Sequence, residues 1–163
     1  RILREEFHIK NVSKIYSEYM KILNTGKFLK KVRQIKGAKT TIRKLGKKYK
    51  LALITGATNA STRPTLAKFS LQNMFDIIVT GDSVKKGKPD PESLHRAIRK
   101  LGVKPSECIY VGDAPADVLM ARRAKVKSVV VLTGVLKRKE AKKLKPSYII
   151  NDISKLESVL SRI

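Results

Sequence analysis

Acidic residues are scarce in this chain. Over 163 residues, 13 Asp and Glu stand against 37 Lys and Arg, a formal net charge of +24. Cysteine occurs once, at Cys108, which excludes an internal disulfide and any zinc site built from several thiolates. No apolar run approaches the ~18 residues of a spanning helix, and the amino end has no signal-peptide core, so a cytoplasmic setting is expected. Internal repeats and low-complexity linkers are lacking too. Position 1 is Arg rather than Met, and the natural start is expected upstream. What is present is enough to fold: 42% hydrophobic residues exclude a wholly disordered basic tail, and the length suits one domain with at most a small appendage.

The charge is uneven. Residues 1–50 hold 16 basic and 3 acidic side chains, densest from Lys27 to Lys50. Such a field concentrates anions, whether nucleic acid, an acidic protein or a phosphorylated metabolite. A lysine-rich surface from a hot or salty habitat explains only part of it. Ion-pair networks need matching Glu, and Glu totals seven. Aromatic interleaving is confined to Phe28 and Tyr49 there, and no RNA-binding motif occurs, so nucleic acid is expected only through non-specific charge.

Residues 12–23 place Val12, Ile15, Tyr16, Tyr19, Met20 and Leu23 on one helical face, and a second helix is expected over 38–48. Beyond these, short apolar runs alternate with amphipathic segments. LALIT (51–55) precedes a helix over 63–72, and DIIVT (76–80) one over 91–101. CIYVG (108–112) precedes a helix over 115–124, SVVVL (128–132) one over 137–144, and YII (148–150) one over 153–162. This is the pattern of an α/β fold: a parallel sheet covered by helices on both faces.

Ligands of open α/β sheets bind beyond the carboxyl ends of the strands. Thr55-Gly56 follows the first run, offering a hydroxyl and a flexible backbone amide. Gly87-Lys88-Pro89-Asp90-Pro91 follows the second, where two prolines would aim Lys88. Gly112-Asp113-Ala114-Pro115-Ala116-Asp117 follows the third, with two carboxylates at a strand end and in the next helical turn. Helix capping by Asp113, with Asp117 favoured by the helix dipole, is the structural reading. A hard-cation site is the functional one, and with six aspartates in the chain, two together at such a tip favour Mg²⁺.

Thr55 after a strand, Lys88 in GKPDPE and then VGDAPADV resemble the haloacid dehalogenase (HAD) superfamily, especially its phosphoglycolate-phosphatase-like members. The resemblance covers nearly all of residues 37–163. It implies a HAD-like Rossmannoid core over 37–163, with residues 1–36 the remnant of a helical cap. It implies that Thr55 and the Gly56 amide hold the transferring phosphoryl group and that Lys88 neutralises charge beside it. Asp113 would ligate Mg²⁺ and Asp117 support the metal site. The substrate implied is a small phosphorylated metabolite. Gly56 stands where Asn or Ser is often found, which leaves substrate contacts there open.

Enzymes of that superfamily attack with an aspartate at the tip of their first strand, in a DxDGT-like motif. This chain has no Asp before Asp76, and Glu5, Glu6 and Glu18 lie in helical or irregular sequence. Neither His8 nor His95 has a partner at catalytic spacing, and Cys108 opens an apolar strand as a core residue. The chain alone is therefore expected to be inactive, as a carboxyl-terminal portion of a longer phosphatase. In the family the first strand lies between those ending at Thr55 and Asp113. Without it, the strand is supplied from upstream, comes from another chain, or is replaced by pairing of its two neighbours. The alternative function is a non-catalytic basic module that binds RNA or an acidic partner.

Overall fold

The computed structural model describes residues 17–18 and 26–162. The apolar-faced helix expected over 12–23 falls almost wholly outside these residues, as does His8; Ser17 and Glu18 are helical and exposed. Helix α1 (Gly26–Lys31) is followed by α2 (Ala38–Leu45), and then strands and helices alternate. Their order is β1 (Ala52–Ile54), α3 (Asn59–Lys68), β2 (Ile77–Val79), α4 (Glu92–Leu101), β3 (Ile109–Gly112) and α5 (Pro115–Arg123). β4 (Lys127–Val131), α6 (Arg138–Lys143), β5 (Tyr148–Ile150) and α7 (Leu156–Leu160) complete the chain. All five expected strands are present within a residue or two of their expected bounds.

All strand pairs are parallel, but the strands form two sheets instead of one. β1 pairs with β2 (Leu53 opposite Ile78), while β3, β4 and β5 make a second sheet with β4 in the middle (Val111 opposite Val129, Val130 opposite Ile149). β1 and β3 do not pair with each other among the described residues, so closing up of the two flanking strands is not what this chain does.

Helices cover both faces, as the alternation of side chains in β4 makes plain. Val129 and Val131 point to a cluster with Leu45 of α2 and Leu156 and Val159 of α7. Val130, on the opposite face, meets Val118 of α5 and Ala141 of α6. The two sheets share these cores. Ile54 of β1 packs against the cluster that holds Tyr110 of β3 with Leu94, Ile98 and Met120, and Leu51, Ile109 and Val111 all pack against the cluster of Val129 and Val131. Apolar packing above and below thus joins two half-sheets that no backbone ladder connects.

Helix α3 begins four residues earlier than its apolar pattern suggested. Thr58 caps it, its hydroxyl accepting from the Ser61 N–H at 3.4 Å, so Pro64 lies inside the helix instead of in its first turn. No helix among the described residues is long and apolar enough to cross a membrane.

Candidate functional site at the seam between the half-sheets

The loop from Gly81 to Pro91 is braced so that Lys88 has one place to go. Both Glu92 carboxylate oxygens accept backbone N–H groups, from Lys85 at 2.9 Å and Lys86 at 2.8 Å. Those two bonds, Lys85 first, hold Glu92 below the usual carboxylate range. Arg96 donates to the Ser83 carbonyl, Arg123 to the Pro89 carbonyl at 3.0 Å, and the Asp90 N–H to the Gly87 carbonyl at 3.0 Å. The Lys88–Pro89 peptide is cis.

The Lys88 side chain, 23% exposed, crosses the seam. Its ammonium donates to the Ile54 carbonyl at 3.2 Å, the Tyr110 hydroxyl at 2.8 Å and Asp117 Oδ1 at 2.9 Å. One partner lies in β1, one in β3 and one in α5. An ammonium has three N–H bonds, so these acceptors satisfy it fully. Odd-numbered residues of β1 face β2: Leu51 O accepts from Asp76 and the Thr55 N–H donates to Val79 O. By the alternation of a parallel strand, Ile54 O points to the other edge, and there Lys88 takes the place of a neighbouring strand.

Asp117, with 7% of its side chain exposed, accepts four hydrogen bonds. Oδ1 takes Lys88 and the Tyr110 hydroxyl (3.0 Å); Oδ2 takes the N–H groups of Asp113 and Ala114, both at 3.1 Å. Burial opposes its charge, but Lys88, the Ala114 N–H and the Tyr110 hydroxyl together outweigh that and hold the carboxyl below its ordinary range. The cap of α5 is therefore Asp117 reaching back to Ala114, and not Asp113 as the structural reading had it. Both Asp117 oxygens are thus engaged within the protein.

Asp113 is the freer carboxylate. Its Oδ2 accepts the Val135 N–H at 3.1 Å, its backbone carbonyl accepts the Leu136 N–H at 3.0 Å, and Oδ1 has no protein partner among the described residues. Among those residues no group of three or more His, Cys, Asp and Glu side chains could hold a metal ion. One carboxylate fits Mg²⁺ all the same, because that ion keeps several waters and is commonly bound by one or two carboxylates plus substrate phosphate.

Thr55 and Gly56 lie next to Ile54, the carbonyl that Lys88 holds. The Thr55 hydroxyl accepts the Ala57 N–H at 3.1 Å, leaving its own proton free to donate. Gly56 is exposed. No hydrogen bond joins either to Lys88, Asp113 or Asp117 among the described residues. Lys88, Asp113 and Asp117 are linked directly; Thr55 and Gly56 adjoin them through the chain.

Two glycines shape the site, Gly112 within VGDAPADV and Gly134, which has no distinctive sequence signal. A Cβ on Gly134 would lie 2.0 Å from Asp113 Oδ2, and one on Gly112 would lie 2.4 Å from Asp117 Cβ, so only glycine leaves room for either aspartate. Tyr110 is the other functional residue that the apolar run CIYVG conceals. Burial, then Asp117 beside it, pushes its phenol far above the usual range and keeps it a neutral donor. Its ring centroid is 5.5 Å from the Lys88 nitrogen, so the contact is with the hydroxyl and not the ring face. His95 is exposed on α4. Cys108 is half-buried, its thiol against the Lys104 carbonyl and its pKa raised by burial, and so no nucleophile.

The pattern of the haloacid dehalogenase-like hydrolases matches residues 1–131. The chain belongs to that family. It is 34% identical over 124 residues to the pyrophosphatase PpaX of Bacillus mycoides, covering 76% of this chain and 58% of that one. With the phosphoglycolate phosphatase of Colwellia psychrerythraea it shares 28% over 114 residues, 70% of this chain and 50% of the other. The crystal structure of a predicted phosphoglycolate phosphatase from Haemophilus somnus superposes with a TM-score of 0.77 at 25% identity, covering 83% and 61% of the two chains. A hydrolase from Pseudomonas syringae gives 0.72 at 31%, covering 79% and 60%. The chain thus spans about three-fifths of the length of the PpaX protein it matches.

Proposed function

We propose that this HAD-family chain forms the phosphate- and Mg²⁺-holding part of a phosphatase for a small phosphorylated metabolite, the attacking carboxylate lying outside its 163 residues. The observation that carries this reading is the Lys88 ammonium, held across the seam between β1 and β3 by a carbonyl, a phenol and a carboxylate. Pyrophosphate and phosphoglycolate are the substrates to try first, being those named for its relatives.

In this reading the Thr55 hydroxyl and the Gly56 N–H donate to phosphoryl oxygens, and Lys88 sets a fixed positive charge beside them. Asp113 offers Oδ1 to Mg²⁺, which when bound would neutralise phosphate charge. Asp117 fixes Lys88 and the Asp113 backbone, a positioning role. A strand seated parallel between β1 and β3 would donate its own N–H to Ile54 O. That releases one Lys88 proton for the substrate, so seating of the strand and arming of the lysine are the same event. Residues 1–36 then serve as the remnant of a substrate-covering cap, with 37–163 as core.

Hydrolysis of p-nitrophenyl phosphate with Mg²⁺ tests this. The chain alone gives no significant turnover. Supplying an apolar strand that ends in an Asp-x-Asp tip, fused or as a peptide, gives turnover that Asp113→Ala abolishes. Robust turnover by the chain alone, lost on Asp113→Ala, would contradict the placement of the nucleophile elsewhere. The second reading, a non-catalytic basic module, is favoured by the net charge of +24 and the lack of a strand-tip nucleophile.

A further inference from the structure

The candidate site uses little of the molecule's charge. From Glu18 to Asp76 the chain contains no other carboxylate, and α2 lies in the middle of that stretch. The inward face of α2 is settled by burial of Thr41 and Leu45. Its outward side presents Lys39, Arg43 and, in the turn that follows, Lys47, each one helical turn from the last, with Thr40 and Lys44 alongside. These five residues line a hollow of about 480 Å³.

Neighbouring cations are engaged elsewhere: Lys48 lies 3.1 Å from Glu157, and Lys50 donates to the Leu101 carbonyl at 3.0 Å. Among the described residues, the side chains of Lys39, Arg43, Lys44 and Lys47 have no hydrogen bond or ion pair. Like charges one turn apart repel, so this face is held together by burial of the other and is relieved by an anion.

The chemistry of the lining selects among anions. Four cations spaced along about 12 Å of axis, with one hydroxyl, suit a row of phosphates, lysines as point charges and Arg43 as a bidentate donor. The five lining residues include no aromatic or aliphatic side chain of the kind that anchors the core of protein interfaces. Just past the helix, Tyr49 stands 48% exposed among Lys47, Lys48 and Lys50, a ring available to an unstacked base. Stacking of that kind requires a single strand, and RNA is the common single strand of cells.

We propose that the outer face of α2, with Tyr49, docks the phosphate backbone of single-stranded RNA. This stands whether or not the seam is a phosphatase site, since the two share no residue. The test is fluorescence anisotropy of a 20-nucleotide polyuridylate with the full chain across a salt series. K39Q/R43Q/K44Q/K47Q should weaken binding at least tenfold and lower the log–log salt slope by about 2–3, four contacts at ~0.7 each. K100Q/K139Q/K142Q/K143Q, with the same change in charge, should stay within threefold, and Tyr49→Ala should weaken binding at least threefold. Circular dichroism establishes that each variant is folded. Equal losses in both quadruple variants would overturn the proposal, reducing binding to net charge. Polyglutamate competing as well as polyuridylate would reassign the face to acidic protein and overturn it too, as would tenfold preference for oligothymidylate.

Discussion

β4 and β1 are built from the same kind of sequence and end in different surroundings. β4 has a parallel partner on each side and four of its five residues are buried; β1 has one partner, and none of its three residues is fully buried. The neighbouring strands satisfy the backbone groups of β4 on both edges. At the seam, by contrast, the Ile54 carbonyl at the edge of β1 is met by the Lys88 side chain, which Tyr110 and Asp117 hold in place, and chemistry can gather there. The lesson is that the split in the sheet and the candidate site are one feature.

Breaking the seam should therefore cost more, and in a different currency, than breaking β4. Lys88→Met leaves Asp117 buried without its counter-ion and should lower unfolding stability by about 3 kcal/mol in urea titrations, and should abolish phosphate binding once the missing strand is supplied. Gly134→Ala forces its new methyl onto Asp113 and should cost about 2 kcal/mol, with Mg²⁺ affinity down at least tenfold by calorimetry. Val129→Ala in β4 should cost a similar ~2 kcal/mol through lost burial yet leave phosphate and Mg²⁺ binding unchanged. Equal effects of Lys88→Met and Val129→Ala on binding would erase the distinction.

Two finer probes sharpen it. Tyr110→Phe removes one donor from Asp117 and should cost about 1 kcal/mol. The pH dependence has a definite sign. Asp117 is held below its ordinary value of 3.8, so its contribution is complete above that value and is lost as pH falls through the lowered one. The urea midpoint of the wild type should accordingly fall more steeply between pH 5 and pH 2 than that of Asp117→Asn. The smallest effect is expected at Val135, a residue that is 72% exposed and whose N–H alone meets Asp113. Val135→Ala should change stability by less than about 0.5 kcal/mol.

Much of this fold is legible in the sequence, because continuous apolar runs leave few alternatives. LALIT, DIIVT, CIYVG, SVVVL and YII all become parallel strands, and the structure brings Lys88 onto Asp117, which in turn accepts the Asp113 N–H. Three things resist sequence reasoning. The start of α3 is decided by the Thr58 cap, which competes with a proline that reads equally well as a helix opener. Tyr110 looks like any strand aromatic until its hydroxyl meets Asp117. Gly134 sits in an ordinary turn, and its importance depends on an aspartate twenty-one residues away. The first is a choice between two local signals; the other two are matters of tertiary contact.

The most direct test of the seam as the functional centre is calorimetric titration of inorganic phosphate into the full chain supplied with an apolar strand ending in Asp-x-Asp, with and without Mg²⁺, for wild type, Lys88→Met, Asp113→Ala and Val129→Ala. The account predicts Mg²⁺-dependent phosphate binding in the wild type and Val129→Ala, and its loss in the other two. Binding that survives in Lys88→Met and Asp113→Ala would contradict it.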